Sequence, residues 1–590
     1  MEIYKAKSKD FSEELSKITK KYNSISVLRL VCIVFFVGSL YYYFQKEGMI
    51  FIALAVAFFA VFIFLMRIHS NLLFKRKLNT ALLEVNKNEL SYLERKSIPF
   101  ENGQEFNDFH HPYAYDLDVF GENSLFQNLN RTATYIGKKT LAGQVLNLLP
   151  HKEILDNQQA VKELTQKINW RQHFLALAKI SQDNQSSYEI LLKWSVFNSK
   201  PLSKVALFIS YASPVVFTGF VLAYFLTSNS VFLSLMAYLF VFNLAFLGRF
   251  LKRIQIEIAN SSNIDQIINQ YGLLMQQIEE ESFESEKLMA LQAKLKCKKE
   301  NASIHLKQLA SLFSKMDSIA NLVTASLFNG TFLFNIHVLK NLIQWKADHA
   351  QALEEWLDVI GEFEMLNSLA NFSYNNPEFI YPTLNSNYKI DFSNLSHPLL
   401  NSKNRVGNEV SFYPQSYMIL TGSNMSGKST FLRSLGVNMV LSGMGSVVCA
   451  NQANVHPLPV LVSMRLSDSL SDSESYFFAE IKRLKQIMDE LEGGPAFVLL
   501  DEILRGTNSD DKRNGTIEVV KKVIGKKAIG AIATHDIEVC LTTNEFPDQL
   551  VNKCFEVEIQ NEELYFDYKL RDGICKNKSA TFLMKKMGVI

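Results

Sequence analysis

Residues 421–432, TGSNMSGKSTFL, follow directly on the apolar run at 417–420 and constrain the chain more than any other stretch. A strand that ends in G-x-x-x-x-G-K-S and passes straight into a helix is the pattern of a phosphate-binding loop. Gly422 and Gly427 let the backbone curl so that successive N–H groups face phosphate oxygens. Ser423, Asn424, Met425 and Ser426 fill the loop between them. Lys428 is placed to neutralise the β- and γ-phosphates of ATP, and the Ser429 hydroxyl to ligate Mg²⁺. Thr430 completes the first turn of a helix whose N-terminus adds positive potential.

Two further stretches come in the order such a loop requires. Residues 496–500, AFVLL, form a continuous apolar run, as a strand buried on both faces should, and end in Asp501-Glu502. Asp501 is expected to hold Mg²⁺ through water, and Glu502 to polarise the attacking water. Residues 529–533, IGAIA, form another short apolar strand ending in Thr534-His535-Asp536, which puts His535 within reach of a γ-phosphate. A strand-terminal Asp-Glu is commonly polar punctuation, and a lone His is commonly structural. Together, at this spacing, they predict an ATPase with an α/β P-loop NTPase domain at the C-terminal end.

The rest of the chain is less like a soluble enzyme. Its 590 residues allow roughly three or four domains, yet 44 are Phe and 48% are apolar, while the net charge is only +2. That balance argues neither for nor against nucleic acid. Six cysteines without a C-x-x-C pair argue against a disulfide framework or a zinc site. Residues 30–44 and 49–66 are apolar runs separated by a break at 45–48. Extended back to Ile25, with Arg29 snorkelling, the first run approaches the ~20 residues a bilayer helix needs. Lys17, Lys20, Lys21 and Arg29 precede the pair and Arg67, Lys75, Arg76 and Lys77 follow it, which places both ends in the cytoplasm. A signal peptide and a buried soluble hairpin are the alternatives; the long polar lead and the 18 uncharged residues at 49–66 count against them.

The pattern repeats at 205–226, which contains Pro214, and at 231–247, with Lys200 and Lys204 before and Arg249, Lys252 and Arg253 after. About four transmembrane helices in two hairpins are therefore expected. Apart from Arg29 they carry no charge, so they read as anchors rather than a transport path. The layout is an N-terminal segment at 1–24, hairpins at 25–68 and 205–247, an all-α core at 80–200 and 254–375, and the ATPase at 377–590. Within the core, Ile264, Ile267, Ile268, Tyr271, Leu274 and Met275 recur at helical spacing and predict an amphipathic face, suited to a rod or a paired helix. Residues 377–414 read as irregular and turn-rich.

The Asn-Met in G-S-N-M-S-G-K-S-T resembles the loop of the MutS family of DNA mismatch-repair ATPases. Leu125-Phe126-Gln127-Asn128-Leu129-Asn130-Arg131-Thr132 with Gly137-Lys138-Lys139 is similar to that family's core domain. His397-Pro398, Asp501-Glu502-Ile503-Leu504-Arg505-Gly506-Thr507-Asn508, Ala533-Thr534-His535 and the closing Tyr568-Lys569-Leu570, Gly573, Ser579-Ala580 resemble its ATPase. The resemblance implies an ABC-type ATPase in which residues 422–430 bind the phosphates, Ser429 and Asp501 serve Mg²⁺, and Glu502 and His535 serve hydrolysis. It also implies a homodimer, with Ser475 completing the partner's site, and DNA as the ligand.

There are departures. Ser473 stands where the family has glycine, Lys512 replaces another glycine, and the loop at 465–475 is short. Nothing before residue 100 resembles a mismatch-reading domain, and no helix-turn-helix extension follows the ATPase. The readings are therefore a membrane-anchored MutS-like ATPase acting on DNA, an ATP-gated membrane scaffold for a protein partner, and a transporter-type ATPase. Few spans and uncharged helices disfavour the last. Lys294, Lys296, Lys298 and Lys299 could meet a phosphate backbone, although a solvated helix face explains them as well. The expected location is a membrane, the inner one in a bacterium, with the core and ATPase in the cytoplasm.

Overall fold

The structure is a computed structural model. It describes residues 1–590 apart from 47, 181–182, 198, 258–263, 297–299, 318–321, 466–475, 561–562, 576–583, 585–588 and 590. Two helices of 45 residues, Glu2–Lys46 and Met49–Leu93, open the chain as a hairpin. At 1.5 Å per residue each is about 68 Å long, over twice the ~30 Å of a hydrocarbon core. The apolar stretches form the tip, where Phe35 stacks on Phe58 and Tyr42 on Phe51. Residues 1–24 are not a separate segment but the polar base of the first helix. There Tyr4 is buried and donates to Asn375 Oδ1 at 2.9 Å.

The second hairpin pairs Lys204–Thr227, with Pro214 inside it, and Ser230–Gly248 across a turn at Ser228. These four helices are long and apolar enough to cross a membrane. The helix Leu322–Phe332, which the sequence reading placed in the all-α core at 254–375, packs against this hairpin instead.

Shorter helices, among them Tyr135–Leu146, His151–Gln166, Ile264–Glu280 and Ala302–Asp317, surround a 42-residue central helix, Phe334–Asn375. The face predicted from Ile264 to Met275 is buried, mainly against Ala302–Asp317, so this helix is paired. The core-like motif around Arg131 holds the first hairpin to the central helix. Arg131 lies between the rings of Tyr92 and Phe100 and pairs with Glu89, and both charged side chains are buried. Asn371 and Asn375 of the central helix donate to the same carboxylate at 3.0 and 2.9 Å.

Beyond the central helix the chain builds two larger sheets and a two-stranded one, Glu558–Gln560 with Glu563–Tyr565. Residues 377–414 are more regular than the sequence suggested: Ile390–Leu395 and Asn408–Ser411 join Thr383–Leu384 and Gln452–Val455 in a four-stranded sheet. The second sheet runs Leu570–Asp572, Leu550–Phe555, Tyr417–Gly422, Ile529–Ala533, Phe497–Asp501, Val460–Ser463. All its neighbours are parallel except the Leu570–Asp572 edge. Its three central strands are buried along their whole length, which is why they read as unbroken apolar runs.

Candidate nucleotide site

Register brings the chemistry together. Ala533 is level with both Leu420 and Asp501, so Gly422, Asp501-Glu502 and Thr534-His535 leave the sheet at one edge, the carboxyl ends of parallel strands. From there residues 423–427 turn into the helix Lys428–Gly443. Gly427 has φ 102°, and a Cβ on it would lie 3.0 Å from the Tyr568 ring. Met425, also at positive φ, is 77% exposed.

Lys428 is buried, and Nζ donates to the carbonyls of Gly422 and Ser423 at 2.9 and 3.2 Å, with His535 Nε2 at 3.4 Å. Burial holds its pKa below that of an ordinary lysine, against the pull of Glu502 and Asp501. Ser429 Oγ donates to Asp501 Oδ2 at 2.6 Å. Asp501 is 6% exposed, and burial raises its pKa although the Ser429 bond opposes this. Glu502 Oε1 lies 2.8 Å from His535 Nε2, and that contact is the main cause that lowers the Glu502 carboxyl to about 2. Glu502 is therefore a carboxylate throughout the physiological range, as a base toward water must be. The structure thus gathers Gly422, Gly427, Lys428, Ser429, Asp501, Glu502 and His535. Ser475 lies outside the described residues, as do Ser473, Lys298, Lys299, Ser579 and Ala580.

Among the described residues, three buried side-chain oxygens at this edge have no partner: Asp501 Oδ1, Ser423 Oγ and Ser426 Oγ. Orphaned buried acceptors and hydroxyls are costly and uncommon in a finished core. With Ser429 beside Asp501 and a buried ammonium next to them, the set suits a magnesium–triphosphate, and the residues fit that group. A cavity of about 450 Å³ opens from the loop and is walled on its other side by His397, Leu400, Phe431, Phe555 and Tyr568. A roomier cavity of about 780 Å³, lined by His111, His151 and His456, contains none of the loop residues, so chemistry rather than volume picks the site.

Some contributors were not singled out from sequence. Arg505 braces the acidic pair from behind, Nε donating to Glu502 O at 2.9 Å and Nη2 to Asp501 O at 3.2 Å. The buried Glu480 accepts from the backbone N–H of Leu504 and Arg505. The stretch around Asp116 and Asp118 gains a role too. Asp116 accepts from the N–H groups of Met464 and Arg465 at 2.7 and 2.8 Å and pairs with Arg483, while Asp118 pairs with Arg433 and Arg465. The helical core and the C-terminal sheet part are thereby clamped together at residues 433, 464–465 and 483. Acidic residues alternating at 116 and 118 were the visible signal, but their partners lie over 300 positions away.

Residues 418–589 match the family described as MutS domain V. The chain is 26% identical over 260 residues to the DNA mismatch repair protein MutS of Thermotoga petrophila, covering 43% of this chain and 32% of that protein. It is 27% identical over 252 residues to the MutS of Methanococcoides burtonii (41% and 28%) and 28% identical over 236 residues to that of Finegoldia magna (38% and 27%). The chain spans about a third of the length of the curated relatives it matches.

Proposed function

We propose that this chain, whose C-terminal part matches MutS domain V, is a membrane-anchored, magnesium-dependent ATPase of the MutS family that works as a dimer and couples its nucleotide state to DNA binding. The observation that carries the catalytic half is the Asp501 carboxylate, one oxygen on Ser429 and the other buried without a partner, beside Lys428. Residues 422–430 hold the triphosphate, and Lys428 exchanges two backbone carbonyls for phosphate oxygens. Ser429 and Asp501 would hold the metal, which would supply neutralisation of the charge that develops on the phosphate oxygens. Glu502 orients and deprotonates water, and His535 fixes the Glu502 carboxylate and faces the γ-phosphate position. The four apolar helices support the anchored reading, and Ser475 acts across the dimer.

The DNA half rests on the relatives' names and is tested directly. Detergent-purified full-length protein is offered matched and mismatched duplexes, with and without ATP and Mg²⁺, over a salt series. ATP-dependent, salt-sensitive binding with little mismatch preference is expected. Absence of binding at every salt concentration transfers the ligand to a protein partner, the scaffold reading.

A further inference from the structure

No Asp, Glu, Lys or Arg occurs between Asp317 and Lys340. Within that stretch the helix Leu322–Phe332 ends, Leu333 turns the chain in the left-handed region at φ 49°, and Phe334–Asn375 begins at once. The outer surface of the short helix is apolar: Val323 is 74% exposed, Leu327 56%, and Phe328 and Phe332 are also exposed. In water such a surface on an 11-residue helix would be a liability.

Its inner surface is fitted to the second hairpin. Gly330 lies so close that a Cβ there would come within 2.2 Å of the Phe240 ring. Asn243, fully buried in Ser230–Gly248, donates to Gly330 O at 2.8 Å and accepts from Ser213 Oγ at 2.6 Å, so it ties all three helices together. On the returning side His337 Nε2 lies 2.9 Å from Ser210 O, and Lys340 Nζ donates to the Tyr211 hydroxyl at 2.9 Å. Phe240 and Asn243 stand eight and five residues before Gly248, about 12 and 8 Å inside the cytoplasmic end of their span.

A chain that reverses at such a depth must satisfy its own backbone. This one does so with a side chain. Asn329, fully buried, accepts from the N–H of Asn335 at 2.8 Å, capping the new helix, and donates to Ala325 O at 2.9 Å. A soluble core would not need the turn and its cap to sit among exposed Leu and Phe. The short helix packs instead on a hairpin that itself exposes Leu233, Tyr238 and Val241.

We infer that residues 322–339 form a re-entrant element that dips into the cytoplasmic leaflet beside the second hairpin, contacts lipid through Leu327 and Phe328, and roots the central helix in the membrane. This rests on the membrane reading above but assigns lipid contact to a third element. The test places the environment-sensitive fluorophore NBD on single cysteines at Leu327, Phe328, Leu233 or the half-exposed Lys526, in full-length protein without its native cysteines, reconstituted in phosphatidylcholine vesicles. Nitroxide-labelled lipid should quench Leu327 and Phe328 as strongly as Leu233, with loss of quenching by aqueous iodide, while Lys526 shows the reverse. Iodide quenching at Leu327 and Phe328 with lipid quenching at Leu233 overturns the re-entrant element and leaves the anchor intact. Iodide quenching at all four positions overturns the membrane reading itself.

Discussion

The junction around Glu89 and the edge around Asp501 both bury charge, and they treat it in opposite ways. At the junction the carboxylate receives Arg131, Asn371 and Asn375, Arg171 Nη1 donates to Asn371 Oδ1, and Tyr4 donates to Asn375 Oδ1. At the Asp501 edge one carboxylate oxygen and two serine hydroxyls are left bare, and Lys428 makes do with carbonyls. A carboxylate with both oxygens taken up, as Glu89 is, acts as a fastening, because any rearrangement breaks bonds, even though Gln172 Oε1 and the Asn367 amide beside it have no partner among the described residues. A partly satisfied one awaits a group from outside. Both motifs carry family resemblance, so resemblance alone does not separate the two roles; whether the carboxylate has both its oxygens occupied does.

Substitutions can sharpen or break that contrast. Glu502→Gln should lower ATP hydrolysis by about 10²–10⁴-fold while nucleotide still binds and the closed dimer accumulates, read as phosphate release against fluorescent-nucleotide titration and sedimentation. Unchanged turnover would remove Glu502 from its role. Arg131→Met should cost about 3–5 kcal/mol in denaturant unfolding, since it strands a buried carboxylate. A loss far below that would mean that the junction is not the fastening described.

A smaller effect is expected at the pocket wall. Burial, helped by Arg433 and Arg405, pushes His397 down to about 4. Its folded pKa lies below the unfolded value near 6.5, so its contribution is present above pH 6.5 and is lost as pH falls toward 4. That amounts to about 3 kcal/mol at most. Unfolding curves of wild type and His397→Gln should converge over that window; parallel curves would contradict it. Asp118→Asn is the mildest change, because Asn tolerates the φ of 53° found there and the lost ion pairs are partly exposed. Its stability should drop by less than about 1 kcal/mol. A larger drop would show that the clamp between core and ATPase is a second fastening.

The ATPase half was legible because its signals are local. A phosphate loop needs its residues contiguous, and fully buried parallel strands announce themselves as apolar runs. The strands at 390–395 and 408–411 escaped notice because they are short and alternate in burial amid Asn and Ser. The hairpins were legible by length and charge, but the continuation of their helices to Tyr4 and Leu93 was not, since polar helix looks like polar loop without a partner to bury one face. The element at 322–339 was hidden by its own solution. Asn329, Gly330 and Asn335 interrupt the hydrophobicity that a span would show, and they are the residues that allow the chain to turn back there. Glu480 and Asp116 act through backbone atoms of distant segments, which no spacing encodes, and Arg505 through the carbonyls of residues three and four positions before it.

The central helix has the proportions of a lever. Forty-two residues make a rod about 63 Å long, gripped at Asn371 and Asn375 and followed within ten residues by the first strand of the ATPase part. A stiff rod pivoting by about 5° moves its far tip by about 5 Å, close to one helical turn. A displacement of the ATPase part too small to alter its own packing would therefore arrive, amplified, at the other end of the molecule.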